Sequence, residues 1–537
     1  MDCLSISVNE RDQFIQRIMK QDNDVLKFYD YDPTEGESFE RRMQAPNNGR
    51  EKAIAKVIRN CMSDLVLSDA QARTLKALEA GAKVVIGGQQ AGLFTGPLYT
   101  FHKIISIVVK ANELENMYGE AVVPVFWIAG EDHDFDEVNH TYVMQERTGH
   151  LQKVKYHTMA PPESNVSRYV PDKDALKDAL RVYFEVLPET KHSKSLYQNL
   201  LQWIDEATNW TTLFKKMIHA CFKSTGLLLI DAQFEPLREL EKPLLQSIIK
   251  NHQKLDDAFR SQQKETVANG LSPMIQTDTN VHMFIHYEDQ RQMIKYENGA
   301  FRLSKSDVTF DEATLLAEID KNPSLFSNNV VTRPLTEEWL FNTVAFIGGP
   351  SEIKYWAELQ KVFHEMDIEM PIVLPRMRMT YLSPKVEKLL ETYRLDLGEV
   401  ITEGTASAKA RFIRAQASDE VLNEIARMRE QQIEFYEKLD AIVGESEDNH
   451  KLLKKNHQIH THQYDYLKTR YLKNIERENE ISMRHFQILS QTLHPMGGLQ
   501  ERVWNPLQLL NQFGIDMFTS STFPPLHYTF EQIVIKT

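Results

Sequence analysis

Three short stretches hold residues whose types and spacing could do chemistry. The first is Gly87-Gly88-Gln89-Gln90-Ala91-Gly92-Leu93-Phe94-Thr95-Gly96-Pro97-Leu98-Tyr99-Thr100-Phe101-His102-Lys103. Glycines let a ligand meet backbone N–H groups, and a helix starting near Pro97 adds a partial positive charge. The spacing is neither a Walker loop nor G-x-G-x-x-G. Gln89 and Gln90 can each donate and accept hydrogen bonds, and a turn that only has to bend needs neither. His102 falls on the first turns of the helix, where the dipole favours the neutral form that a base requires. The competing reading is a plain glycine-rich turn with a satisfied core histidine.

The second stretch is Gly130-Glu131-Asp132-His133-Asp134-Phe135-Asp136-Glu137, with five carboxylates and an imidazole within seven residues. Such a cluster suits a divalent cation or general acid–base work. An acidic first helical turn accounts for Asp136 and Glu137. It accounts poorly for His133, which leaves Asp132, His133 and Asp134 as candidates. The third stretch, Gly348-Gly349-Pro350-Ser351-Glu352 with Tyr355 one turn on, serves capping and ligand binding equally well. Arg376 and Arg378, and Arg333 before Pro334, offer guanidinium forks to carboxylates, although a single arginine is more often a structural ion pair.

Each stretch follows a short apolar run. The runs are Lys83–Ile86, Val122–Ala129, Leu227–Ile230 before Asp231, Val344–Ile347 and Ile372–Leu374. Near-continuous apolar strands separated by helical stretches predict a parallel sheet covered on both faces. Ligands of such sheets bind beyond the carboxyl ends of the strands. The long intervals between the second, third and fourth runs predict inserted subdomains. One of these should hold a hairpin turning at Asn298-Gly299. The first eighty residues read as polar helices. After residue 400, Val421, Ile425, Met428, Gln432, Phe435, Leu439 and Ile442 form a heptad seam that breaks at Gly444–Asn449. A second long helix, striped by Leu453, His460, Leu467, Tyr471 and Ile475, should complete an antiparallel pair. That pair either packs on itself or serves as a dimerisation arm. Tyr528–Ile535 alternates and should return as a strand.

Length and composition fit this picture. The chain has 537 residues, 42% hydrophobic and 26% charged, enough for two or three globular units. A net charge of -14 argues against a nucleic-acid coat protein but allows a local basic pocket. Cys3, Cys61 and Cys221 form no C-x-x-C pair, which points to a reducing, cytoplasmic setting. Neither a secretory signal nor an apolar run of roughly 20 residues is present.

The motifs at 88–100, 126–137 and 348–352, with the helical segment after 400, resemble the bacillithiol biosynthesis cysteine-adding enzyme family (BshC) across the whole chain. The resemblance implies an α/β fold: a Rossmann-type, nucleotidylyl-transferase-like core with connecting-peptide insertions and a C-terminal coiled-coil arm. The corresponding boundaries are 1–399 for the core, 400–495 for the arm and 496–537 for a segment returning to the core. It also implies the last step of bacillithiol synthesis, the joining of L-cysteine to glucosaminyl-malate. Related cores carry Thr-Gly-x-Leu-His-x-Gly-His after the first strand. Thr95-Gly96-Pro97-Leu98-Tyr99-Thr100-Phe101-His102 fits that frame with Tyr99 for the first histidine and Phe101 for the glycine that lets adenine approach. Arg302–Ser306 imitates the KMSKS loop of class I synthetases by coincidence, since it follows a hairpin and not the last core strand.

An amide bond from a carboxylate needs an activated acyl group, so an activating nucleotide such as ATP is expected and a divalent cation is possible. His102 or His133 would be the base, with Asp132 beside it. Backbone N–H groups from Gly88 to Gly92 would steady the oxyanion. Arg376 or Arg378 would grip the malate carboxylates. Gln89, Gln90, Thr95, Tyr99, Asp134, Gly349, Glu352 and Tyr355 complete the expected binding set, and no metal ligand is assigned. A homodimer is expected. Two other classes stay open: a metal-dependent hydrolase using residues 131–137, and a non-catalytic coiled-coil scaffold.

Overall fold

The five apolar runs fold into one parallel sheet of strands Lys83–Gln89 (β1), Val122–Ile128 (β2), Leu228–Asp231 (β3), Thr343–Gly348 (β4) and Ile372–Pro375 (β5), in the order β5-β4-β1-β2-β3. This is a computed structural model, and it describes residues 1–8, 13–131, 134–159, 161–162, 165–288 and 290–537. Strand order reverses between β1 and β4, so a crevice opens at their carboxyl ends. Helix α1 (Tyr99–Tyr118) returns from β1 and buries Phe101, Ile104, Ile107, Val108 and Ala111. It ends at Gly119, whose left-handed backbone (φ 70°) favours glycine. The chain divides into two units, Met1–Gln145 with Leu151–Ser383 and Gln500–Thr537, and Glu146–His150 with Pro384–Leu499.

Within the first unit, the interval between β3 and β4 holds helix α2 (Glu235–Ala268), a five-stranded sheet and helix α3 (Arg333–Leu340). The expected hairpin is present: Gln290–Glu297 pairs antiparallel with Ala300–Leu303. Asn298 and Gly299 both have positive φ, 52° and 82°, the geometry of a two-residue hairpin turn. Helix α4 (Pro350–Trp356) follows β4. The chain end is a strand, Gln532–Lys536, shorter than its alternating pattern. It runs parallel to Arg378–Leu382 and antiparallel to Asp2–Ile6. The latter corrects the all-helical reading of the first eighty residues. A five-residue edge strand exposed on nearly every side chain carries no burial pattern to reveal it.

In the second unit, helices α5 (Asp419–Ile442) and α6 (Glu447–Glu478) run antiparallel, joined where the seam breaks. Arg429 Nε meets Asp465 at 3.1 Å, and the Ser418 N–H donates to Tyr471 Oη at 2.9 Å. The heptad seam splits in two. Ile425, Gln432 and Leu439 are partly covered within the pair, beside buried Leu422 and Tyr436. Val421, Met428, Phe435 and Ile442 stay exposed at seven-residue intervals, matched on α6 by exposed Leu452, Ile459 and Tyr466. His460 and Leu467 are likewise exposed, although His460 Nδ1 lies 3.3 Å from Tyr436 Oη. No helix among the described residues is long and apolar enough to cross a membrane.

Candidate functional site

The turn after β1 is held from a distance of four hundred residues. Phe94, Thr95 and Gly96 all have positive φ, 49°, 75° and 69°. For a β-branched threonine this is strained. Fully buried Asn505 compensates: its Nδ2 donates to Phe94 O at 2.9 Å and Gly96 O at 2.8 Å, while its Oδ1 caps the following helix through Leu507 N. A Cβ on Gly92 would lie 2.7 Å from Gly96 Cα, so the turn closes only with glycine there. The turn also uses its own donors. Gly92 N–H bonds Gln90 O, Gly96 N–H bonds Leu93 O and Leu98 N–H bonds Trp504 O. It therefore offers an anion fewer N–H groups than its glycines suggest. Thr95 Oγ1 is buried with no partner among the described residues.

His102 and Lys103, adjacent on α1, enter two different networks. His102 is fully buried, with Nδ1 2.7 Å from Glu501 Oε2 and Nε2 3.3 Å from Tyr381 Oη. Arg376 bonds the other Glu501 oxygen and stacks 5.4 Å over Tyr99. Burial lowers the His102 pKa despite Glu501, so the ring is neutral. Burial pushes Glu501 up, but Arg376 and His102 outweigh it and bring its carboxyl down to about 2. Phe101 is fully buried between Phe222 and Phe518, at centroid distances of 5.0 and 5.1 Å. Arg378 donates to Phe530 O at 3.0 Å.

Lys103, 1% exposed, bridges the carboxyl ends of β1 and β4. Its ammonium donates to Gly88 O, to Gln89 Oε1 at 3.1 Å and to Glu352 Oε2 at 2.5 Å. The same Glu352 oxygen accepts the Gly349 N–H at 2.6 Å and so caps α4. Burial lowers the Lys103 pKa, opposed by Glu352. Glu352 is itself raised by burial but held low overall by Lys103 and Arg333. Arg333, on the first turn of α3, donates to Tyr355 Oη at 2.6 Å and lies 4.0 Å from Glu352. A Cβ at Gly349 would sit 2.9 Å from Arg376 Nη1, so glycine there makes room for the guanidinium.

Beyond the end of β2 lies a cavity of about 540 Å³ lined by Ala129, Glu131, Arg291, Asn328, Asn329 and Arg333, among others. Arg291 lies 3.8 Å over the Phe284 ring and bonds Ser327 Oγ and Asn328 O. Glu131 is held by fully buried Arg238 at 2.5 Å, whose other arm bonds fully buried Glu241 at 2.7 Å. Glu337 on α3 is pushed up to about 8 by burial, with Arg333 opposing.

Gly88, Gln89, Gly349, Glu352 and Tyr355 thus come together around Lys103 and Arg333. His102, Tyr99 and Arg376 come together around Glu501. Gln90 is half-buried, and Asp134 is exposed before the short helix Phe135–Val138. Asp132 and His133 lie outside the described residues. Among the described residues, no group of three His, Cys, Asp or Glu side chains could hold a metal ion. Sequence reasoning did not single out Lys103, Glu337, Glu501, Asn505 or Arg291, and took Glu131 only as one member of the acidic cluster at 131–137. Lys103 had a signal, a cation inside the apolar face of α1. Glu501 and Asn505 had none, because their partners are remote in sequence.

The model of the bacillithiol biosynthesis BshC N-terminal Rossmann-like domain matches residues 1–377, and that of the BshC C-terminal coiled-coil domain matches residues 379–537. Among curated relatives, three named "Putative cysteine ligase BshC" are similar over 536 residues, 100% of both chains. They come from Staphylococcus haemolyticus (56% identical), Staphylococcus carnosus (56%) and Staphylococcus aureus strain MRSA252 (55%).

Proposed function

Because the chain belongs to the bacillithiol biosynthesis BshC family, we propose that it is a cysteine ligase joining L-cysteine to glucosaminyl-malate through an amide bond to give bacillithiol. The observation that carries this reading is the cavity beyond β2, which brings Arg291 and Arg333 together with Glu131. The acceptor has both kinds of charge: malate carboxylates and an amine. Guanidinium forks suit the carboxylates, and a carboxylate suits the ammonium. The cysteine end of the reaction belongs at the neighbouring carboxyl ends of β1 and β4, where Gln89 and Tyr355 flank the Lys103–Glu352 pair.

A nucleotide such as ATP, as the activating group, would make the cysteine carboxyl a better electrophile. The chain's own part is to hold the acyl carbon against the amine and exclude water. His102 serves this site as a positioning residue, with both ring nitrogens engaged by buried partners. Asp132 and His133 follow β2 directly in sequence and stay assigned to the substrate site.

The functional unit is a cytoplasmic homodimer built on the arm of residues 400–495. The exposed stripes Val421–Met428–Phe435–Ile442 and Leu452–Ile459–Tyr466 supply the apolar face that a second copy would cover. The remaining chain divides into the core of residues 1–399 and the returning segment 496–537. A mass-spectrometric assay with cysteine and glucosaminyl-malate, with and without ATP, tests the reading. Bacillithiol should accumulate only with all required substrates, and its absence under every condition would refute the assignment.

A further inference from the structure

The cavity beyond β2 contains a buried charge arrangement that substrate binding alone does not require. Glu131 lines the cavity and is 5% exposed. Behind it, Arg238 and Glu241 are fully buried. One guanidinium thus serves two carboxylates, Glu131 in front and Glu241 behind. Arg238 Nε and Glu241 Oε1 have no hydrogen-bond partner among the described residues. Burying three charges costs several kcal/mol per ion by desolvation, and an apolar trio would fill the same volume more stably. Stability alone is therefore a weak account of the arrangement.

We propose that Glu131 is the general base that takes the proton from the acceptor amine, and that Arg238 and Glu241 are positioning residues that hold its carboxylate at the cavity wall. This rests on the ligase reading above. The other candidates near the cavity are less suited. Lys103 is committed to Gly88, Gln89 and Glu352, and His102 to Glu501 and Tyr381. Burial pushes Glu337 up toward its neutral form, and it does not line the cavity as Glu131 does. Charged groups face Glu131 from every side. They are Arg238 and Glu241 on α2, and Arg333 and Glu337 on α3, which itself faces Glu352 of α4. Asp278 and Arg291 complete the charged wall of the cavity.

The acyl donor is cysteine activated as a mixed anhydride with phosphate. The amine lone pair forms the N–C bond to the cysteinyl carbon. The phosphate departs with the electron pair of the bond it breaks, and the nitrogen's proton passes to Glu131. Nothing is oxidised or reduced. Glu241 enters because it shares Arg238. When Glu241 is ionised, less of the guanidinium's charge is available to Glu131, whose carboxylate is then the stronger base. Burial raises the Glu241 pKa to about 7, so this influence changes across neutral pH.

The test compares wild type with Glu131→Gln, Glu131→Asp and Glu241→Gln at saturating cysteine and ATP, with glucosaminyl-malate varied and pH scanned across neutrality. Melting temperatures are measured in parallel. Glu131→Gln should lose kcat by about 100-fold or more, beyond any rise in KM for the acceptor. Glu131→Asp should recover part of the rate. Glu241→Gln should match wild-type kcat/KM below about pH 7, where Glu241 is itself neutral, and fall below it at higher pH, where the wild-type carboxylate ionises. A merely structural role for Glu241 would lower the rate equally at every pH. Should Glu131→Gln fail to fold, Glu131→Asp carries the test, since it keeps the charge and withdraws it by one methylene; a wild-type kcat would then overturn the proposal. A kcat for folded Glu131→Gln within about threefold of wild type would overturn the base assignment and leave the ligase reading intact. A Glu241→Gln profile that coincides with wild type above about pH 7 as well would overturn the roles given to Arg238 and Glu241. Absence of product from wild type would remove both the ligase reading and this inference.

Discussion

Glu501 Oε2 lies 2.7 Å from His102 Nδ1 across 399 residues of sequence, and both side chains are buried. The pair ties the returning C-terminal segment to the first turn of α1. The Glu501 carboxyl is brought from 4.5 to about 2, so its contribution is fully present above about 4.5 and is lost as pH falls through about 2. That depression corresponds to on the order of 3 kcal/mol at neutral pH. Glu501→Gln should lower the melting temperature at neutral pH, and the gap from wild type should narrow as the solution is acidified below about 4.5. A gap that does not depend on pH would mean that Glu501 is not ionised in the folded protein.

Asn505→Asp keeps the shape of the clamp but replaces its N–H donors with a carboxylate facing the Phe94 and Gly96 carbonyls. Chemical denaturation should show a loss of roughly 2–4 kcal/mol. Wild-type stability would mean that the turn does not depend on this side chain for its left-handed conformation.

Gln89→Ala removes the acceptor of one Lys103 hydrogen bond without altering backbone geometry. We expect kcat/KM to fall by about tenfold or more, roughly 1.4 kcal/mol of transition-state binding, with little change in melting temperature. Unchanged kinetics together with lowered stability would assign Gln89 to the fold.

Arg291→Met should raise KM for glucosaminyl-malate by about tenfold while leaving KM for cysteine near wild type, if Arg291 grips the malate carboxylates. Equal effects on both substrates would place the acceptor elsewhere.

On the arm, Met428→Glu with Phe435→Glu should give folded monomers by light scattering, because both residues are exposed within the chain. Ile425→Glu with Leu439→Glu should instead lower helicity, because these positions are partly covered inside the α5–α6 pair. A dimer that survives the first pair of substitutions would move the interface off this stripe.

The sequence by itself determined the sheet. Runs such as Val122–Ile128 are apolar at every position because both faces of a parallel strand are covered, and that pattern is local. Asn298-Gly299 fixed its hairpin for a similar reason, since only a few residue types adopt positive φ twice in succession. The motifs at 88–100 and 126–137 carried the family. Tertiary structure alone decided which polar residues share a site. His102 and Lys103 are neighbours in sequence, yet successive helical positions diverge by about 100°, and the two side chains join separate networks. The heptad seam on α5 read as one stripe, but coverage by α6 divided Ile425 from Met428. Glu501, Asn505 and Arg238 carry no local signal, because a buried ion pair or clamp is defined by a partner that only folding brings near.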